Sequence, residues 1–315
     1  MKKFLFLKIA LIMLLSTTAS TVWATGAKEA PAASPAAEMK VNYAAEAVKN
    51  YYADLAAHTN YQIKEADFVE KVKAGEQMFV IDARSAADYA KGHVKGAVSV
   101  PWGMPVAEKL AYLPHEGNVY IYCYSGQTAA QAGMLMNAAG VPVKSVAFGW
   151  NFGISKVPGY EAITTTEATE LNMSKKYDVN PVIAKKVTEY FERFASIKDT
   201  PFASNIISEA NAKAIFDAKD KSAVFVSIRR AEDYAKGHIE GAINIPFASG
   251  MDSSFQSLPS DKKIIIYCYS GQTAGQTVAA LRLLGYDAVS LKGGMGVPKN
   301  APMGWTNQGY PVVAQ

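Results

Sequence analysis

The sequence predicts an α/β protein made of two copies of one domain, each a mainly parallel β-sheet flanked by helices on both faces. Three observations predict it. The 315 residues are about twice the size of a common single domain. One segment recurs at a fixed spacing, and short apolar runs alternate with helical patterns in both halves. The recurrence carries most of the weight. Ile121–Ala129 (IYCYSGQTA) returns as Ile266–Ala274, an offset of 145 residues, as from Cys123 to Cys268. The same offset carries Arg84 to Arg229, Asp88–His93 to Asp233–His238, Pro101 to Pro246, Gly140 to Gly285 and Gly149 to Gly294. Upstream, Ile63-Lys-Glu-Ala66 matches Ile207-Ser-Glu-Ala210 with small indels between. A period this long marks a domain duplication, not a solenoid.

Residues 1–24 read as a cleaved signal peptide. Lys2, Lys3 and Lys8 surround the start of an apolar run, Ile9–Leu15, and Val22-Trp23-Ala24 offers a small-residue cleavage site. The run is short for a bilayer span, so no stable membrane insertion is expected after cleavage and the mature protein is expected in the periplasm. Residues 25–42 are a flexible Ala/Pro-rich spacer. The first domain is expected over 43–162, opening with a helix whose apolar face is Val48, Tyr51, Tyr52 and Leu55. A polar linker follows at 163–180. The second domain is expected over 181–315, opening with a matching face of Val187, Tyr190, Phe191 and Phe194. Strands are expected at Met78–Asp82, Val98–Val100, Val119–Tyr122 and Val143–Phe148 in the first copy. Their counterparts are Ala223–Ser227, Ile243–Ile245, Ile264–Tyr267 and Ala288–Gly293. Helices are expected at Ala66–Ala74, Thr128–Ala138 and Thr273–Leu284.

The chain holds 32 Lys and Arg against 28 Asp and Glu. Three of those lysines lie in the signal, leaving 29 against 28, so there is no basic field to attract nucleic acid. The two cysteines, Cys123 and Cys268, each follow a buried-strand run and precede a helix. In an open α/β sheet this is the crevice where ligands bind. A strand–loop–helix turn aims backbone N–H groups and a helix N-terminus at one point, which stabilises a thiolate there. Gly126 and Gly271 permit the tight backbone, and Thr128 and Thr273 are expected to cap the helix and offer a hydroxyl to the bowl.

With Cys-x-x-Gly-x-Thr after a strand, Gly-His-Val/Ile-x-Gly-Ala-x-x-x-Pro upstream and a Gly-rich end (Leu291-Lys-Gly-Gly294, Trp305, Gly309-Tyr310), the chain resembles the rhodanese homology family, over most of 60–162 and 203–315. The first copy has a shorter end, Phe148-Gly-Trp150 and Gly159-Tyr160. What the resemblance implies is a ping-pong sulfurtransferase with Cys123 and Cys268 as catalytic nucleophiles. Each takes a sulfane sulfur from a donor such as thiosulfate or polysulfide, holds it as a persulfide against the loop amides, and passes it to a thiol or cyanide. No metal or organic cofactor is required. The alternative function is a non-turnover sulfur carrier or docking module that delivers sulfur to an accepting partner protein.

The substrate pocket is expected to be lined by Tyr124, Ser125, Gly126, Gln127 and Thr128, and by Tyr269, Ser270, Gly271, Gln272 and Thr273. None of these is cationic. Arg84 and Arg229 are the candidate charges for an anionic donor, although the resemblance makes this position a structural partner of a nearby acid. Asp82 is that acid in the first copy; Ser227 stands in its place in the second. The sixth residue after each cysteine is Ala129 or Ala274, so the arginine that a Cys-x5-Arg phosphatase needs to clamp an oxyanion is missing. His93 and His238 are read as structural, since a persulfide-forming thiolate needs no separate base. Trp102 and Phe247 are either pocket walls or core.

Overall fold

The computed structural model describes residues 41–315 other than Asp54. The expected signal peptide at 1–24 and most of the spacer at 25–42 lie outside these residues. The first half contains α1 (Tyr43–Ala53), β1 (Gln62–Ile63), α2 (Glu65–Lys73), β2 (Phe79–Asp82), α3 (Ala86–Lys91), β3 (His93–Val94), β4 (Ala97–Ser99), α4 (Met104–Lys109), β5 (Val119–Tyr122), α5 (Gln127–Ala138), β6 (Val143–Val146) and β7 (Thr164–Thr165). The second half contains α6 (Pro181–Glu192), α7 (Phe194–Ile197), β8 (Ile206–Ile207), α8 (Glu209–Asp217), β9 (Ala223–Ser227), α9 (Ala231–Lys236), β10 (Ile243–Asn244), β11 (Lys263–Tyr267), α10 (Gln272–Leu283) and β12 (Ala288–Leu291).

The strands assemble into two five-stranded sheets, β1-β6-β5-β2-β4 and β8-β12-β11-β9-β10, and every pairing within them is parallel. Strand for strand the two orders are the same, so the duplication read from the sequence is also a duplication of topology. The middle strand of each sheet is buried along its length: all four residues of β5, and Ile264–Tyr267 of β11. Such a strand needs apolar side chains pointing both ways, which is why it reads as a continuous apolar run. Cys123 and Cys268 follow these middle strands directly.

The expected strands and helices are present to within a few residues. The two-residue edge strands β1 and β8 and the six-residue helices α3, α4 and α9 are too short to display a period and carry no signal in the sequence. The 163–180 segment is more than a connector. Its β7 pairs antiparallel with β3, His93 opposite Thr165, and Thr169 bridges to Val98. Further on, the Tyr177 amide donates to Ala111 O at 2.8 Å and its ring stacks on His115 at 4.8 Å. Among the described residues no helix is long and apolar enough to cross a membrane.

The opening helices of the two domains each lie against the other domain. Tyr52 of α1 is fully buried, its hydroxyl donating to Thr277 Oγ1 of α10 and its ring edge-on to Phe247 and Phe255. Phe191 and Phe194 of α6 and the following turn pack on Trp102, at 4.9 and 5.5 Å. Tyr190, whose hydroxyl burial pushes up to about 12, donates to Gln131 of α5. Trp102 and Phe247 are therefore partly buried residues packed against the core of the contact between domains. That contact forms a single apolar cluster drawn from both halves, centred on α5 against α10. Separate clusters fill the outer face of each sheet. The α5–α10 contact is close because small residues line it: a Cβ on Gly275 would sit 2.6 Å from Gln127 O.

Candidate active sites

In each domain the chain leaves the middle strand, makes a four-residue turn and enters a twelve-residue helix. The turn residue before the helix is Gly126 or Gly271, at φ +87° and +88°, a left-handed conformation that glycine adopts without strain. This conformation swings the glycine amide inward. Cys123 Sγ accepts from Gly126 N at 3.2 Å and from Ala129 N at 3.3 Å; Cys268 Sγ accepts from Gly271 N at 3.1 Å. Both cysteines are buried free thiols. Amide donors directed at a sulfur beside a helix N-terminus are placed to hydrogen-bond a sulfur carried on it.

A second glycine turn braces each loop from behind. The Trp150 and Asn151 amides donate to the carbonyls of Cys123 and Tyr124 at 2.7 and 2.8 Å, and Met295 and Gly296 do the same for Cys268 and Tyr269. With their carbonyls tied back, the loops present only N–H groups to the sulfur. Gly149 and Gly294, which begin these turns, were not among the expected site residues. Their exact recurrence at the 145-residue offset was the signal that could have found them.

Tyr124 and Tyr269 stand at the mouths, about two-fifths exposed, with their hydroxyls pinned. Tyr124 donates to Asp88 Oδ2 at 2.5 Å and Tyr269 to Asp233 Oδ2 at 2.6 Å. Hydrogen bonds from Lys91, Tyr124 and Ser85 hold the Asp88 carboxyl well below the usual carboxylate range. Those from Tyr269 and Arg230 hold Asp233 at about 2. Both clamps thus stay ionised across neutral and mildly acidic pH. Ser125 and Ser270 are half-buried within the turns. Thr128 and Thr273 lie inside the helices, one residue past Gln127 and Gln272. They are not the caps: because the glycine turn begins each helix early, Gly126 and Gly271 occupy that position, with no side-chain cap bond.

Gln127 and Gln272 extend beyond their own loops, Gln272 Nε2 also donating to Ser270 Oγ of its own loop at 3.0 Å. Each is buried and reaches into the sister domain. Gln127 Nε2 donates to Ser290 Oγ at 2.6 Å and to Leu291 O at 3.1 Å, beside the turn that holds Gly294. Gln272 Oε1 accepts from Phe148 N at 2.9 Å and packs on Gly126, where a Cβ would meet it at 2.6 Å. Each loop is thus supported in part by a glutamine from the other. Gln272→Ala leaves a buried amide unpaired, worth about 1–3 kcal/mol. It is expected to slow alkylation of Cys123 about tenfold in a Cys268→Ser background, and an unchanged rate would show that the contact does not position the first loop.

Arg84 is buried in an ion pair. Its Nε and Nη2 donate to Asp82 at 3.1 and 2.7 Å, Nη2 also reaches Gly92 O at 2.6 Å, and Trp150 covers the guanidinium at 4.2 Å. Its charge is balanced by a carboxylate with no exposure, so Arg84 lines the cleft beside Tyr124 as one half of an ion pair and not as a free cation. Arg229 has no such partner: Ser227 Oγ meets only its backbone amide, at 3.4 Å. The histidines are held by backbone carbonyls. His93 bonds the carbonyls of Tyr89 and Glu167 at 2.8 and 3.0 Å and stacks on Tyr89; His238 bonds Tyr234 O at 3.0 Å.

Two parallel sheets related by duplication, each delivering a cysteine to an inward-turned glycine amide, define the class. The chain belongs to the rhodanese-like family: the rhodanese-like domain matches twice, at residues 65–152 and 209–297. A sulfurtransferase of Allochromatium vinosum is 30% identical over 112 residues, covering 35% of this chain and 95% of that protein. A protein of Mycolicibacterium smegmatis provisionally named a thiosulfate sulfurtransferase is 24% identical over 271 residues, 77% of this chain and 92% of its own length. The crystal structure of a thiosulfate sulfurtransferase from Pseudomonas aeruginosa covers 80% of this chain and 46% of its own at 17% identity, with a TM-score of 0.29. The family match and the two sequence relatives support rhodanese-type sulfur transfer in general terms.

Proposed function

We propose that the protein is an exported sulfurtransferase with two working sites, Cys123 and Cys268. The observation that carries this reading is the amide contact: Cys123 Sγ accepts from Gly126 N and Ala129 N and Cys268 Sγ from Gly271 N, and neither loop offers a cation or an arginine to hold phosphate. The thiolate attacks the outer sulfur of a donor such as thiosulfate. A new S–S bond forms, the donor's S–S bond breaks, and its electron pair leaves on sulfite. The persulfide anion then rests against the amides, which act on the two transition states as they do on the resting charge. A thiolate or cyanide attacks the terminal sulfur and leaves as a persulfide or thiocyanate, returning the cysteine thiolate. Splitting the transfer into two displacements is what the nucleophile contributes. The N-terminal 24 residues direct the chain to the periplasm in this proposal, and the donor is a small sulfur compound.

Intact mass after incubation with thiosulfate or polysulfide tests it. The expected result is a gain of one sulfur on each of Cys123 and Cys268, reversed by a thiol or cyanide, and a gain of one in either Cys→Ser variant. Absence of any gain with either donor would overturn the proposal. A gain that only a protein partner can discharge would favour the carrier reading.

A further inference from the structure

The two mouths are built at equivalent positions but differ in charge. Beside Cys123, Asp82 neutralises Arg84, the Trp150 indole covers it, and Glu161 and Glu167 line the same cleft. Beside Cys268, the acid of that pair is replaced by Ser227 and the indole by Met295. With Tyr160 and Tyr310 aligned, Pro311 stands where Glu161 stands. Arg230 replaces Ser85, with its Nε 3.4 Å from the Tyr269 hydroxyl, and its charge is paired with Asp233 at 2.9 Å and with Glu232, which stands where Ala87 stands, at 3.4 Å.

Arg229 is only 7% exposed, and its Nε is buried with no hydrogen-bond partner, while Nη2 donates to the Gly237 carbonyl. Its guanidinium carbon lies 5.8 Å from the ring centre of Tyr269, the residue next to Cys268. A buried guanidinium with an open donor and no carboxylate is costly unless an anion completes it. Arginine is also the side chain best suited to oxyanion oxygens.

We propose that Arg229 is an anion subsite of the second mouth, holding the oxyanion end of a sulfur donor such as thiosulfate while Cys268 attacks the sulfane sulfur. The first mouth, with Arg84 neutralised and acids around it, discriminates against such donors. This rests on the sulfurtransferase reading of the same loops.

The test separates the two. In a Cys123→Ser background, Cys268 is alkylated with iodoacetate or with uncharged iodoacetamide; in both the thiolate displaces iodide from the methylene carbon. The rate ratio reports anion preference without any sulfur transfer. Ser227→Asp restores the carboxylate of the first copy and is expected to lower the ratio about tenfold, the scale of one charge-assisted hydrogen bond. The same substitution should raise KM for thiosulfate by a similar factor. Arg229→Gln should do likewise and serves if Ser227→Asp fails to fold by circular dichroism. A ratio unchanged by the folded variants overturns the subsite, whether or not sulfur transfer proceeds. A ratio that falls while no donor loads sulfur supports the subsite and overturns the sulfurtransferase reading alone.

Discussion

Asp82→Ala is expected to destabilise the protein by about 3–5 kcal/mol, whereas Ser227→Ala at the equivalent position should cost about 1 kcal/mol or less. The asymmetry follows from what each side chain holds. Asp82 is wholly buried and accepts from the Arg84 amide at 2.9 Å, from its guanidinium, and from the Tyr122 hydroxyl at 2.7 Å. Tyr122 accepts in turn from Val94 N at 3.1 Å, so the carboxylate anchors the end of β2, the middle strand and β3 together. Without it, a guanidinium is left buried and unpaired, and the lost pairing is not recovered from water. Ser227 meets the Arg229 backbone amide at 3.4 Å and the Tyr267 hydroxyl, both uncharged contacts, and Arg229 already stands without a carboxylate. Urea unfolding of the two variants measures the difference. Equal destabilisation would mean that the Arg84–Asp82 pair contributes no more than its replacement, as happens when desolvation cancels the Coulomb gain.

That contrast also marks where the sequence was legible. The central strands and the two cysteine-loop helices were readable because burial on both faces forces long apolar runs, and the duplication supplied each assignment twice. The cysteines were readable for the same reason, each at a strand end before a glycine. Side-chain direction was not. Gln127 and Gln272 belong to the loop by sequence but turn into the sister domain, because α5 and α10 meet close to their first turns. Nothing local to YSGQT encodes which neighbour those amides will find. The roles of Trp102 and of the opening helices were hidden likewise, since they depend on a contact between domains whose partners lie far apart in the chain. Ser227 in place of Asp82 was visible from the outset, but only the buried, unpartnered Nε of Arg229 gives the substitution a chemical consequence.

Gly149→Ala is expected to reduce sulfur loading of Cys123 by roughly 10²–10³-fold while leaving Cys268 able to load, and Gly294→Ala should do the reverse. Gly149 sits at φ +58°, where alanine itself costs only about 1–2 kcal/mol. The larger effect is steric. A Cβ at 149 would lie 2.4 Å from Cys123 O, 2.7 Å from Gly126 N and 2.9 Å from Ser125 N. All three atoms are backbone of the cysteine loop, so no side chain can move aside to accept it. At 294 the corresponding distances are 2.7 Å to Cys268 O, 2.7 Å to Gly271 N and 3.0 Å to Ser270 N. Gly126 N and Gly271 N are the very amides that donate to the sulfurs. Relief of the clash must turn them away, and removing one donor that stabilises a developing anion has the magnitude given above. Site-resolved mass measurement after thiosulfate or polysulfide treatment, in the Gly149→Ala and Gly294→Ala single variants, reads the two cysteines separately. Loss at both sites from either substitution would mean that the loops are coupled through Gln127 and Gln272 more tightly than their separate hydrogen bonds imply. Undiminished loading at the substituted site would mean that the loop amides do not hold the sulfur during transfer.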